Sequence, residues 1–192
     1  MEFEAARRAM IDSQLRPQAV TDSSVVAAMA VVPREQFVPD ERRAAAYIDR
    51  IVDLGGGRFL NPPATLGRLL TELAPRGGER ALVIGTAPAY AAAVLREMGL
   101  EVRECEDGDL TAGDPAGAPY DLILIDGAVE FLPESLTGQL GERGRLGACM
   151  LERGVQRLVI GRKAGGAFGI NFIADGSAAL LPGFQRPRVF TF

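Results

Sequence analysis

A chain of 192 residues with 47% apolar side chains and mean hydropathy near zero is long enough for one water-soluble domain with a full core. Its net charge of −4 comes from 25 acidic and 21 basic residues with no basic run, which excludes a nucleic-acid footprint. There is no histidine, so Ser-His-Asp, Cys-His and His-ligated metal chemistry are absent, leaving carboxylates, hydroxyls, amides and backbone donors. The two cysteines, Cys105 and Cys149, are too few for a disulfide framework or a zinc cluster and read as buried reduced thiols. The N-terminus mixes charges every few residues and nowhere do 18 apolar residues run together, so neither a secretory signal nor a membrane span is expected, and the cytoplasm is the expected location.

In chain order, residues 3–16 read as a helix ending before Pro17, and Thr21-Asp22 caps a second, SSVVAAMAVV, that stops at Pro33. Residues 34–39 are a short turn with apolar anchors, and a helical turn is expected near Arg42 to Tyr47. In DRIVDLGGGRFLNPPATLGRLLTELA, glycines and prolines delimit an irregular loop before a helix from about Ala64 to Leu73. A glycine triplet reads either as flexibility or a bulge, or as a loop that closes over a ligand.

Residues 80–106, RALVIGTAPAYAAAVLREMGLEVRECE, organise the rest. Ala81 to Ile84 reads as a strand buried on both faces, broken by Gly85-Thr86 into a helix from Pro88 to Met98. Pro88 suits the first helical position and Thr86 is placed to cap it. After Gly99 a second strand around Val102 ends in Glu106, 21 positions after Gly85, near the spacing of a ribose-binding acid. The layout is a nucleoside half-fold, yet Ala87, Pro88 and Ala89 stand where glycines would let backbone approach a ligand. The turn therefore also reads as a plain strand-to-helix link.

Residues 107–119 carry no apolar periodicity and read as a connection, so no strand is expected there. Tyr120 to Asp126 is a third buried strand, whose terminal carboxylate would face the same crevice as Glu106 or else be simply solvated. Pro133 to Leu140 reads as a helix, Arg145 to Leu151 and Gln156 to Lys163 as strands, with short extended pieces at Ile170 to Ile173 and Val189 to Phe192. Alternating elements make this an α/β chain with a mainly parallel sheet covered by helices.

With these pieces in place the chain resembles the protein-L-isoaspartate O-methyltransferase family from about residue 10 to 175. The resemblance rests on MIDSQLRPQAVTD, VVAAMAVVPREQFVP, AYIDRIVDLGGGRFLNPP, ALVIGTAPAY, GDPAGAPYDLILIDGA, LPESLTGQL and GVQRL, in that order. It implies a Rossmann-like fold with helices on both faces, a reversed final strand and an N-terminal helical extension, in one domain over 1–192 (helices and active-site-type loop over 1–75, core over 80–192). It implies S-adenosylmethionine as cofactor and isoaspartyl carboxylates of damaged proteins as substrate; no metal, nucleic acid or membrane partner is expected.

Residue by residue, the family's cofactor turn falls on Val83 to Tyr90. Gly85, Thr86 and Tyr90 match, whereas Val83 replaces an acid and Ala87 and Ala89 replace glycines. Glu106 matches the ribose-binding acid. The family's Ile-Ser-Gln-Pro loop falls on Leu60-Asn61-Pro62-Pro63, so Asn61 stands at the catalytic position with Leu60 and Pro63 beside it. Asp126, commonly threonine, adds a carboxylate to the pocket floor that would repel a substrate carboxylate. The family's helix and strand after the ribose-binding acid are missing, and with them a wall of the adenine pocket. The expected function is a weakened isoaspartyl methyltransferase with poor cofactor binding. The alternative is a non-catalytic relative serving as a binding or assembly module, a homo-oligomer pairing through the sheet region that the deletion exposes.

Overall fold

The computed structural model describes residues 2–186, so the extended piece expected at Val189 to Phe192 lies outside the described residues. Helix α1 (Glu2–Met10) runs into a π-helical turn, Ile11–Leu15, and buries Met10, Ile11 and Leu15. Helix α2 (Ser23–Val31) starts at Asp22, whose carboxylate accepts the Ser24 and Val25 N–H groups at 2.8 and 3.1 Å. Short 3-10 turns follow at Arg34–Phe37 and Asp40–Ala45.

The segment expected to be irregular is a hairpin of strands β1 (Val52–Gly55) and β2 (Arg58–Leu60). Its glycines are required by the turn: Gly55, Gly56 and Gly57 have φ of +88°, +64° and +78°, where a side chain would be strained. The Asp53 carboxylate accepts the Gly55 N–H at 2.8 Å and fixes the turn's entry. Helix α3 (Pro63–Leu73) follows with proline in its first turn.

The main sheet comprises β3 (Arg80–Ile84), β4 (Glu101–Cys105), β5 (Tyr120–Val129), β6 (Leu140–Glu152), β7 (Val155–Ala164) and β8 (Ala167–Asp175), in spatial order β4-β3-β5-β6-β7-β8. Strands β3 to β6 pair in parallel; β7 is antiparallel to both β6 and β8. The reversed strand is therefore β7, the penultimate described one, and not the final one. Because the β6–β7 and β7–β8 links are tight turns, each must reverse direction. As expected, residues 107–119 form no strand, only a 3-10 turn at Pro115–Gly117. The helix expected over Pro133 to Leu140 is a single turn, α5 (Glu134–Thr137), because Leu140 already pairs with Tyr120 as the first residue of β6.

Helices lie on both faces, unequally. Helices α1 to α3, with α4 (Ala89–Glu97), cover one face, with Leu70, Tyr90 and Leu95 packed on Val83 and Leu124. The other face, with Leu82, Ile84 and Ile123, is covered by α5 and coil, including Leu110, Leu181 and Phe184. The short connection after β4 contains no helix to place there. Burying each central side chain contributes about 1.5–3 kcal/mol, and Leu82, Val83, Ile84, Ile123 and Ile125 are wholly inaccessible.

Two irregularities shape the site. Strand β5 shifts register against β6 between Leu124 and Ala128, a bulge that carries Asp126 and Gly127 out of the ladder. Strand β4 is an edge, and its Val102 carbonyl accepts the Arg96 guanidinium at 3.0 Å while Arg96 pairs with Glu104 at 2.7 Å. Charge thus blunts the edge next to the missing segment.

Candidate functional site

A cleft of about 700 Å³ opens at the carboxyl ends of β3 and β4, where ligands lie in open α/β sheets. The β1–β2 hairpin contributes one wall with Gly56, Gly57 and Arg58; Thr86 follows β3; Glu106 and Asp107, following β4, contribute a second wall. Leu180, Pro182 and Gln185 close the remaining side. Two bonds clamp the hairpin on the turn after β3: the Phe59 N–H donates to Thr86 Oγ1 at 3.2 Å, and Arg58 Nε donates to the Thr86 carbonyl at 3.3 Å. The expected Thr86 cap is therefore not made. Its hydroxyl faces the hairpin, and α4 begins after Pro88 with no side-chain cap.

Of the residues singled out from sequence, Thr86 and Glu106 line this cleft. Leu60, Asn61, Pro63, Gly85, Ala87, Tyr90 and Asp126 are buried and line none of it. Asn61 is 3% exposed and both donors of its amide are engaged. Its Nδ2 donates to the Asp126 carbonyl at 2.8 Å and to Asp126 Oδ1 at 3.0 Å, and its Oδ1 accepts the Ala179 N–H at 2.8 Å. Gly85 is held by the bulge of β5, since a Cβ there would lie 3.0 Å from the Asp126 carbonyl oxygen. Asp126 and Glu106 thus do not share one crevice surface: the bulge turns Asp126 inward, whereas Glu106 is exposed.

Beneath them sits Arg34, 1% exposed, which the sequence reading assigned no role although it lies in VPREQFVP. Its Nε donates to the Ala46 carbonyl at 2.6 Å, a terminal nitrogen donates to the Asn61 carbonyl, and its guanidinium stacks 4.8 Å from the centre of the Tyr90 ring. Burial pushes the Arg34 pKa below its ordinary value, opposed by Tyr90 and the Asp126 carboxylate. Burial likewise raises Asp126, opposed by the Asn61 hydrogen bond and the Arg34 charge. Tyr90, edge-on to Phe37 at 5.5 Å, is raised by burial against the same cation. Arg34, Asn61 and Asp126 share one buried polar network, with the Tyr90 ring against the guanidinium and its hydroxyl without a hydrogen-bond partner among the described residues. Arg58 and Asp107 also escaped the sequence reading; Asp107 follows Glu106 directly, and Arg58 follows the glycine triplet.

A nucleoside carrying an amino-acid tail fits this cleft at its rim. Glu106 has no hydrogen-bond or ion-pair partner among the described residues, so its oxygens are available to ribose hydroxyls. The turn itself is closed, with Ala87 only 6% exposed, and no strand after β4 supplies an adenine wall. Apolar surface for a base comes instead from Leu180 and Pro182.

A parallel sheet whose strand order reverses at β3, with an acid after β4 and a crevice at the strand ends, defines a Rossmann-like S-adenosylmethionine-dependent methyltransferase fold. Two solved structures agree. One titled protein-L-isoaspartate O-methyltransferase matches with TM-score 0.75 and 20% identity over 92% of this chain and 66% of that one. The other, titled as a Plasmodium falciparum protein of the same type in complex with S-adenosyl-L-homocysteine, matches with TM-score 0.73 and 18% identity over 93% and 97%. A protein-L-isoaspartate O-methyltransferase of Methylorubrum extorquens is 37% identical over 164 residues, covering 73% of this chain and 72% of its own. One of Methanoculleus marisnigri is 33% identical over 186 residues, covering 83% and 84%. The family model described as protein-L-isoaspartate(D-aspartate) O-methyltransferase matches residues 5–105 and 100–175, and the chain belongs to that family. The two matched stretches overlap across β4, just before the strandless connection over residues 107–119.

Proposed function

We propose that this chain methylates the side-chain carboxylate of isoaspartyl residues with S-adenosylmethionine, that it does so weakly, and that it works in the cytoplasm. The observation that carries this reading is the clamped cleft with Glu106 free on one wall and Arg58 on the other. When bound, S-adenosylmethionine supplies an electrophilic methyl group. An isoaspartyl carboxylate is ionised at neutral pH and needs no base, so the chain's residues contribute by holding and orienting. Glu106 accepts from the ribose, and the hairpin excludes water above Thr86. The closed turn and missing adenine wall cost roughly 2–4 kcal/mol of cofactor affinity, which sets the dissociation constant in the high micromolar range or above.

Labelled-methyl transfer to an isoaspartyl peptide, beside its aspartyl twin, tests the reaction. Transfer only to the isoaspartyl peptide, lost in Glu106→Ala while the fold is retained, supports it; silence of the unaltered chain sinks it. The alternative, a non-catalytic binding module, is favoured by one observation: both N–H groups of the Asn61 amide at the catalytic position are committed to Asp126, leaving no donor for a substrate carboxylate.

A further inference from the structure

The cleft is electrically polarised. Glu106 and Asp107 make one wall acidic, and Arg58 is the one cation among the residues lining it. Arg58 is exposed, and among the described residues no carboxylate lies within ion-pairing distance of it. It is nonetheless oriented, because its Nε is held on the Thr86 carbonyl and the next residue, Phe59, bonds the Thr86 hydroxyl. The glycine turn before it fixes the strand that carries it. Its two terminal nitrogens are therefore free to form a forked pair with a carboxylate above the turn.

We propose that Arg58 binds the carboxylate of the cofactor's amino-acid tail, taking over from the turn that Ala87 closes, and so sets this protein's preference for a nucleoside with a charged tail. The inference rests on the cofactor reading above. The acidic wall complements the same ligand, with Glu106 on the ribose and Asp107 near the positive end of the tail.

Calorimetry on the intact chain tests it with two probes, S-adenosylhomocysteine and methylthioadenosine, which shares the nucleoside but lacks the amino-acid tail. Arg58→Gln is expected to weaken S-adenosylhomocysteine by about 10-fold and leave methylthioadenosine unchanged, and Arg58→Lys, which keeps charge but loses the fork, to fall between. The thermal midpoint should fall only slightly, since Arg58 is exposed, its one bond to the Thr86 carbonyl is long, and the Phe59–Thr86 bond remains. Equal weakening of both probes, or of neither, overturns the assignment. Unchanged S-adenosylhomocysteine affinity with a raised KM for the isoaspartyl peptide overturns it as well and gives Arg58 to the methyl acceptor. If the unaltered chain binds neither probe, the cofactor reading itself falls and this inference with it; if it binds methylthioadenosine but gains nothing from the tail, only the role of Arg58 falls.

Discussion

Arg58 opens strand β2 and Asn61 directly follows it, yet one is exposed and the other buried. Asn61 joins Arg34 and Asp126, with the Tyr90 ring stacked on the guanidinium, in a buried floor, while Arg58, Glu106 and Asp107 form a rim facing solvent. The positions that resemble the family's catalytic and cofactor-turn residues mostly fall in the floor. Floor residues should report on stability and rim residues on ligands, and each substitution below tests that division.

The largest effect is expected from Arg34→Met. It removes the bonds to the Ala46 and Asn61 carbonyls and the stacking on Tyr90, and it leaves Asp126 buried without its cation. Denaturant unfolding should show a loss of about 3–5 kcal/mol. A loss under about 1 kcal/mol would mean the floor is not one network.

Next is Asn61→Ala, which strips partners from the Ala179 N–H and the Asp126 carboxylate and should cost about 2–3 kcal/mol. Asn61→Ser restores the residue type implied by the family resemblance. It should cost less than alanine in the same unfolding assay, since its hydroxyl retains one of these bonds. If it raises methyl transfer instead of only lowering stability, Asn61 belongs to the site and the floor is not purely structural.

The sequence showed the rim and the floor unequally for a physical reason. Glu106 was legible because strand, helix and strand each have a local period and the acid sits at their end. The α/β order, the Asp22 cap and the strandless connection followed from equally local signals. The β5 bulge was not legible, because Ile125-Asp126-Gly127 reads as plain strand and only its pairing with β6 shows the register shift. Arg34 carries no local signal of its role, since its partners, Ala46 and Asn61, are distant in sequence. The hairpin reads as loop in the sequence because glycines mark turns and loops alike, and strands this short have no period to detect.

A smaller effect is expected where floor meets rim. The double substitution Ala87→Gly with Ala89→Gly opens the turn beside Thr86 and should strengthen S-adenosylhomocysteine binding by about 1–2 kcal/mol, with a similar loss of stability from backbone freedom and the lost Ala87 methyl. Calorimetry and thermal melting read the two halves separately. Unchanged affinity would put the obstacle in the missing adenine wall.

The smallest effect is electrostatic and concerns which term wins at Asp126. Burial pushes its pKa up while the Asn61 amide and the Arg34 charge pull it down, and the net direction is upward. The folded chain then holds that proton more tightly than the unfolded chain. This stability is fully present below the ordinary carboxylate range, near 3.9 for aspartate, and is lost as pH rises through the raised folded value. Asp126→Asn carries no proton to lose and keeps an oxygen to accept from Asn61. The thermal midpoint of the variant minus that of the unaltered chain should therefore increase from pH 4 to pH 7. A difference that shrinks over that range would show that the Arg34 cation outweighs burial. Asp126 would then be a stabilising counter-ion at neutral pH, and the floor would be held by charge pairing instead of tolerating a buried acid for the shape of the β5 bulge.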